Sequence, residues 1–295
     1  MSRPPLRPPE LLRGPFRGTD AIRSGLITKA QLNGSVWRSL FRDVYVCADS
    51  PNSYATRIAG ALLVVPASVT IAGTSAARVW GVRYGAECAP IEVHSPTPYG
   101  PVRGLTVHTG PIPPTDVTRF RGVPVTTPTR TAWDIARRVP LLAAVPWIDA
   151  LSHQRAISRA DLLAYAAARH GDRGGRIAAA TLRRCDPRAE SPMESVLRVH
   201  LHVGGVPVVP QYWIMLGDEF VARADLALPE LRLAIEYDGQ WHSDPHQLGR
   251  DRARLREINR AGWHVYPVTK EDMLNPDRVV RDIKSVIAKR YRSRG

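Results

Sequence analysis

The chain has 295 residues, 44% of them hydrophobic, with 41 Lys or Arg against 27 Asp or Glu and a formal net charge of +14. That hydrophobic fraction builds packed cores and excludes a disordered tail, and the length suits two or three domains. The charge points to a polyanionic partner, nucleic acid first. Three scattered cysteines without a CxxC pair argue against a thiolate zinc site. The longest apolar run, 58–65, is too short to span a bilayer. We therefore expect a cytoplasmic protein with no membrane partner.

Residues 1–15 read as a proline- and arginine-rich arm. Thr19 is placed to cap a short helix ended by Gly25, and Thr28 to cap a second over 29–33. Ser35 is placed to cap a third over 36–41, ahead of a strand over 43–48. Helix, helix, turn, helix, strand is the order of a winged helix-turn-helix, which we place within 1–50. Its third helix would enter the major groove of double-stranded DNA, with Trp37 in the core and Ser35, Arg38 and Ser39 toward the bases. Lys29, Gln31 and Asn33 lie just upstream, within reach of phosphate or base, and Arg42 begins the wing.

Residues 51–183 read as a middle α+β region. Helices are expected over 54–66, 75–80 and 131–139 and through 141–183, and strands over 91–94, 105–108 and 123–125. From 184 the texture changes. Pro192 opens a helix to 202, and β-rich segments follow over 208–216 and 220–237. A basic helix over 248–261, a strand over 263–268 and a helix over 276–291 complete an α+β chain.

The run Gly25-Leu-Ile-Thr-Lys-Ala-Gln-Leu, then Trp37-Arg-Ser-Leu-Phe-Arg-Asp-Val-Tyr-Val, resembles the winged helix of AbiE-type type IV antitoxins. Gly122-Val-Pro-Val-Thr-Thr-Pro-Thr-Arg-Thr-Ala-Trp-Asp extends the likeness over roughly 15–183. Asp43 stands where that family usually has glycine. The resemblance implies a repressor of its own operon whose genetic partner is a nucleotidyltransferase toxin.

Three acids stand out near the C-terminus. Glu236 and Asp238 are two apart on a predicted strand and leave the same face. A two-residue turn at 229–230 would set Asp225 opposite Ala234, diagonal to Glu236. Carboxylates so gathered repel unless a hard cation such as Mg²⁺ joins them. The pattern Glu190-Ser-Pro-x-Glu194, Asp225, Glu236-x-Asp238-Gly239 and His242 is similar to very-short-patch-repair-like endonucleases of the PD-(D/E)xK fold. It implies a restriction-endonuclease-like α/β/α domain over 184–295. By that resemblance Asp225 and Glu236 would hold the metal, Glu194 would assist from its helix, and His242 would be a general base. Asp238 occupies the place of the fold's lysine, and Lys270 is remote in sequence. Two readings stay open: an active Mg²⁺-dependent DNA endonuclease, or a retained fold whose acids now pair with Arg223 or Arg232.

The basic helix adds a phosphate track. Arg252, Arg256 and Arg260 fall on one face, with Arg250 and Arg254 beside it. Residues 250–295 hold thirteen Lys or Arg against six Asp or Glu.

Overall fold

A computed structural model describes residues 7–155, 157–238 and 245–292, with backbone alone at 155 and 245–251. The chain is α+β and divides into two compact units, Met1–Thr131 and Ala132–Gly295.

The first unit opens with strand β1 (Phe16–Arg17) and two short helices, α1 (Gly18–Arg23) and α2 (Lys29–Leu32). Helix α2 has the expected cap: the Thr28 side chain accepts from Gln31 N, and the Gln31 side chain accepts from Thr28 N, a reciprocal capping box. Gly25 ends the α1 turn with φ +73°, as its position suggests. Thr19 does not cap α1, which takes Arg17 as its N-cap.

The expected third helix is absent. Residues Trp37–Phe41 form strand β2, which pairs antiparallel with β3 (Val44–Cys47) in a sheet ordered β1-β3-β2. The physical reason is local. Six residues cannot hold a helix without tertiary help, whereas Val44, Tyr45 and Val46 supply a β-forming partner just across a two-residue turn from Phe41. The turn is Arg42–Asp43, with Asp43 left-handed at φ +60°. Asp43 keeps this conformation by accepting hydrogen bonds from Thr19 N (2.9 Å) and Thr19 Oγ1 (2.6 Å). It thus stands in for the glycine such a turn favours. Trp37 is buried with Leu11, Ala21, Ile27, Leu32 and Val36, and its ring meets Phe16 edge-on.

The rest of this unit comprises α3 (Tyr54–Val64), β4 (Thr70–Ile71), α4 (Gly73–Val79), β5 (Ile91–Ser95), β6 (Leu105–Thr109), β7 (Val117–Phe120) and β8 (Val123–Thr126). A mixed sheet runs β6-β5-β4-β8-β7, with β4 parallel to β8 and antiparallel to β5. Helix α5 (Pro128–Arg138) follows, with Pro128 at its start. The Thr-Arg-Thr segment of the 122–134 motif is structural: Arg130 pairs with Asp116 at 3.0 Å, both buried, and Thr131 bonds Thr126.

The second unit continues with helices α6 (Leu141–Arg155), α7 (Arg159–Ala168), α8 (Gly175–Leu182) and α9 (Pro192–Val203). Strands β9 (Val209–Leu216), β10 (Glu219–Leu228) and β11 (Leu233–Asp238) come next, then helix α10 (Pro245–Arg260), β12 (His264–Thr269) and helix α11 (Pro276–Arg292). The sheet order is β12-β11-β10-β9, antiparallel except for the β11–β12 pair. Leu197 and Leu201 of α9 pack with Val279 and Ile283 of α11 on one face, against Leu226, Leu233 and Ile235. Ile258 and Ala261, in and just after α10, join Ala227 and Ala234 on the other. The result is three layers with the sheet in the middle.

A buried network fastens α6 to α9. Asp149 accepts from Arg198 Nη2 at 2.6 Å, Ser195 Oγ at 2.7 Å and Asp186 N at 2.8 Å. Burial pushes the Asp149 carboxyl up to about 6 against these favourable contacts.

Candidate functional site: a sheet-end carboxylate cluster and two basic surfaces

The acids assemble from three elements. Ser191 caps α9 by accepting from Glu194 N, which sets Glu194 in the first turn. Its Oε2 accepts from Glu190 N (3.1 Å) and from Gln211 Nε2 (2.9 Å) of β9. Asp225 lies on β10, where its Oδ2 accepts from Tyr237 N at 2.9 Å. Glu236 and Asp238 leave β11 on the same face, alternating with the buried Ile235.

The expected register is corrected by two residues. The pairs are Ala227↔Ala234 and Leu228↔Leu233, because the connection is a 3-10 turn at Pro229–Leu231 closed by left-handed Arg232. Buried Leu231 anchors this longer connection. Continuing the register places Asp225 directly opposite Glu236 rather than diagonal to it. An even shift keeps Asp225 and Glu236 on one face. Burial, then neighbouring Glu194 and Glu236, push the Asp225 carboxyl up to about 6 against the opposing Tyr237 N–H and Arg254.

The partner of Glu236 is Arg254 of α10. Arg254 donates through Nη1 to Oε2 (2.8 Å) and through Nη2 to Oε1 (2.7 Å), a two-pronged pair, and Nη2 also reaches the Arg223 carbonyl at 3.1 Å. Arg223 itself bonds Glu190 rather than Glu236 or Asp225. Arg232, the other expected partner, occupies the turn with its side chain beside Gly262. Arg254 went unassigned as an acid partner, yet it carried a signal. It is four residues before Ile258 and seven before Ala261, both buried, so it shares the sheet-facing stripe of α10. Both oxygens of Glu236 being engaged, the arrangement does not fit a divalent cation as it stands. Among the described residues no three His, Cys, Asp or Glu side chains are grouped to hold a metal ion. His242 lies outside the described residues. Lys270, remote in sequence, stands one residue past Thr269, the register partner of Asp238.

The basic positions fall on two surfaces. In α10, Arg252, Arg256 and Arg260 are exposed, with Arg260 3.6 Å from Glu257. In the first unit Lys29, Gln31, Asn33 and Ser35 are exposed on α2 and the following turn. Arg38 is half-buried on β2, where it donates to Asn52 Oδ1 at 3.0 Å. Ser39 donates to the Phe41 carbonyl, and Arg42 is exposed at the hairpin tip. Beside the hairpin runs an open groove of about 1150 Å³ lined by Arg17, Thr19, Ser39, Arg42 and Arg103. Arg17 and Arg103 were not anticipated, because their proximity to the hairpin follows only from the tertiary fold.

Residues 69–182 match the AbiEi antitoxin C-terminal domain family. The match covers the mixed sheet from β4 onward and helices α4 to α8. Two curated Mycobacterium tuberculosis proteins, the uncharacterized proteins MT2308 (strain CDC 1551 / Oshkosh) and Rv2248 (strain ATCC 25618 / H37Rv), are each 32% identical over 157 residues. The alignment covers 52% of this chain and 58% of each relative. The chain therefore spans less than two thirds of the curated relatives it matches. A crystal structure of the RV2827C protein from Mycobacterium tuberculosis is similar at 16% identity and a TM-score of 0.36, covering 61% of this chain and 69% of that one. Among the described residues no helix is long and apolar enough to cross a membrane.

Proposed function

We propose that this is a DNA-binding antitoxin of the type IV class that represses its own operon, paired genetically with a nucleotidyltransferase toxin. The observation that carries the proposal is the order of parts. A helix pair, the second helix capped by Thr28, and a basic hairpin precede a segment matching an antitoxin domain. In this reading residues 1–50 form the winged reader. Its recognition helix is α2, so Lys29, Gln31 and Asn33 meet the groove, while Ser35, Arg38, Ser39 and Arg42 serve the wing and phosphates. Residues 51–183 are the antitoxin-like middle region. Residues 184–295 keep an endonuclease-like fold, supported by the order α9-β9-β10-β11-α10-β12, and hold the duplex through Arg252, Arg256 and Arg260 without cutting it. Footprinting on DNA upstream of its own gene tests this. Protection over an inverted repeat, lost on Lys29→Ala with Arg42→Ala, supports the proposal. Uniform protection of any sequence would reject it.

A second reading is Mg²⁺-dependent DNA cleavage. It is favoured by Asp225 lying opposite Glu236 with Glu194 near enough to raise its carboxyl, and in that reading Asp238 and His242 would join them, His242 as the general base. The Arg254 fork on Glu236 counts against it, and nicking of supercoiled plasmid abolished by Asp225→Ala would establish it.

A further inference from the structure

We propose that Arg254 is a built-in counter-ion that takes the place of a divalent cation at the Asp225–Glu236 carboxylates, so that this end of the sheet meets nucleic-acid phosphate without metal. The inference rests on reading the C-terminal unit as a nucleic-acid-binding descendant of a nuclease fold. It starts from the mismatch between that fold's metal requirement and the residues present.

Two carboxylates on adjacent strands repel each other and repel a phosphate, so an approach to DNA requires a cation among them. A guanidinium supplies one that is always charged and whose planar fork matches a carboxylate. Arg254 spans both oxygens of Glu236 and is fixed by the Arg223 carbonyl. Arg252 and Arg256 are exposed on the outer face of the same helix, so α10 carries further positive charge for a phosphate backbone. The Arg254 side chain is 41% exposed, so a phosphate can reach the pair from solvent. Glu236 is then the positioning residue for Arg254, rather than a ligand.

The test measures duplex binding by fluorescence anisotropy with the full chain, in EDTA and in Mg²⁺ at matched ionic strength. Wild type binds equally in both. Arg254→Gln exposes the carboxylates and weakens binding in EDTA about tenfold, the effect of a nearby unit charge, and Mg²⁺ restores it. The double variant Arg254→Gln with Glu236→Gln removes both charges and binds independently of metal again. Arg254→Lys keeps the charge and stays metal-independent, which guards against misfolding of the glutamine variant. Wild-type binding that needs Mg²⁺, or Arg254→Gln binding as well as wild type in EDTA, would overturn this inference alone. No wild-type binding in any buffer would overturn the DNA-binding reading, and this inference with it.

Discussion

Two arginine–carboxylate pairs in the same unit have the same chemistry and opposite consequences. Arg198 and Asp149 are 2% and 1% exposed, and Ser195 and the Asp186 N–H complete the carboxylate's bonds. Arg254 and Glu236 are 41% and 19% exposed, at the end of the sheet. Removing water from the first pair makes each partner indispensable to the other, because a lone buried charge has nothing to replace its hydration. Solvent around the second screens the loss of either partner, so that pair can serve binding instead of cohesion. The difference teaches that burial, rather than geometry, decides which ion pair holds the fold.

The largest effect should come from breaking the buried pair. Arg198→Ala should lower stability by about 3–5 kcal/mol in urea denaturation, because Asp149 is left enclosed without its counter-ion. The same truncation at Arg254 should cost less than about 1 kcal/mol. Equal losses at the two sites would break the comparison.

A smaller effect of opposite sign belongs to Asp225. Its folded-state carboxyl titrates near 6, above its ordinary value of 3.8, so the folded protein binds the proton more tightly than the unfolded chain. Stability from this group therefore falls as pH rises from about 4 to 6, and the cost persists at neutrality. Asp225→Asn, which can still accept from Tyr237 N, should stabilise the protein by about 1 kcal/mol at pH 7. The gain should vanish near pH 4, which paired thermal melts would check. A gain that persisted at pH 4 would assign it to packing rather than charge.

The smallest effect should be in the salt dependence of DNA binding. Arg256→Gln on the exposed face of α10 should reduce the slope of log affinity against log salt by about 1, with no change in melting temperature. An unchanged slope would take this face out of the phosphate track.

Much of the fold was legible because its long elements carry strong periodicity or clear stops. Pro192 and Ser191 mark the start of α9, and alternation marks β5, β6 and β11. The short elements were not. Ser35 looks like a helix cap, but Phe41 followed after a two-residue turn by Val44-Tyr45-Val46 makes a hairpin, and sheet pairing outweighs a six-residue helix. Strands β4 and β7, of two and four residues, carry too little pattern to see. At the site, Asp225, Glu236 and Asp238 were recognisable, but their register hung on a connection whose length sequence does not fix. The Arg254 pair spans eighteen residues between a strand and the helix crossing over it. Only the spacing to Ile258 and Ala261 hinted that this arginine faces inward while Arg252 and Arg256 face out.

In the proposed role the chain reads DNA and does not cut it. The most direct measurement incubates the purified protein with supercoiled plasmid and with its own upstream DNA, with and without Mg²⁺, beside Lys29→Ala and Asp225→Ala. We predict a shift confined to the upstream fragment, indifferent to Mg²⁺, weakened by Lys29→Ala and untouched by Asp225→Ala, with the plasmid intact. Mg²⁺-dependent nicking that Asp225→Ala abolishes would contradict the account.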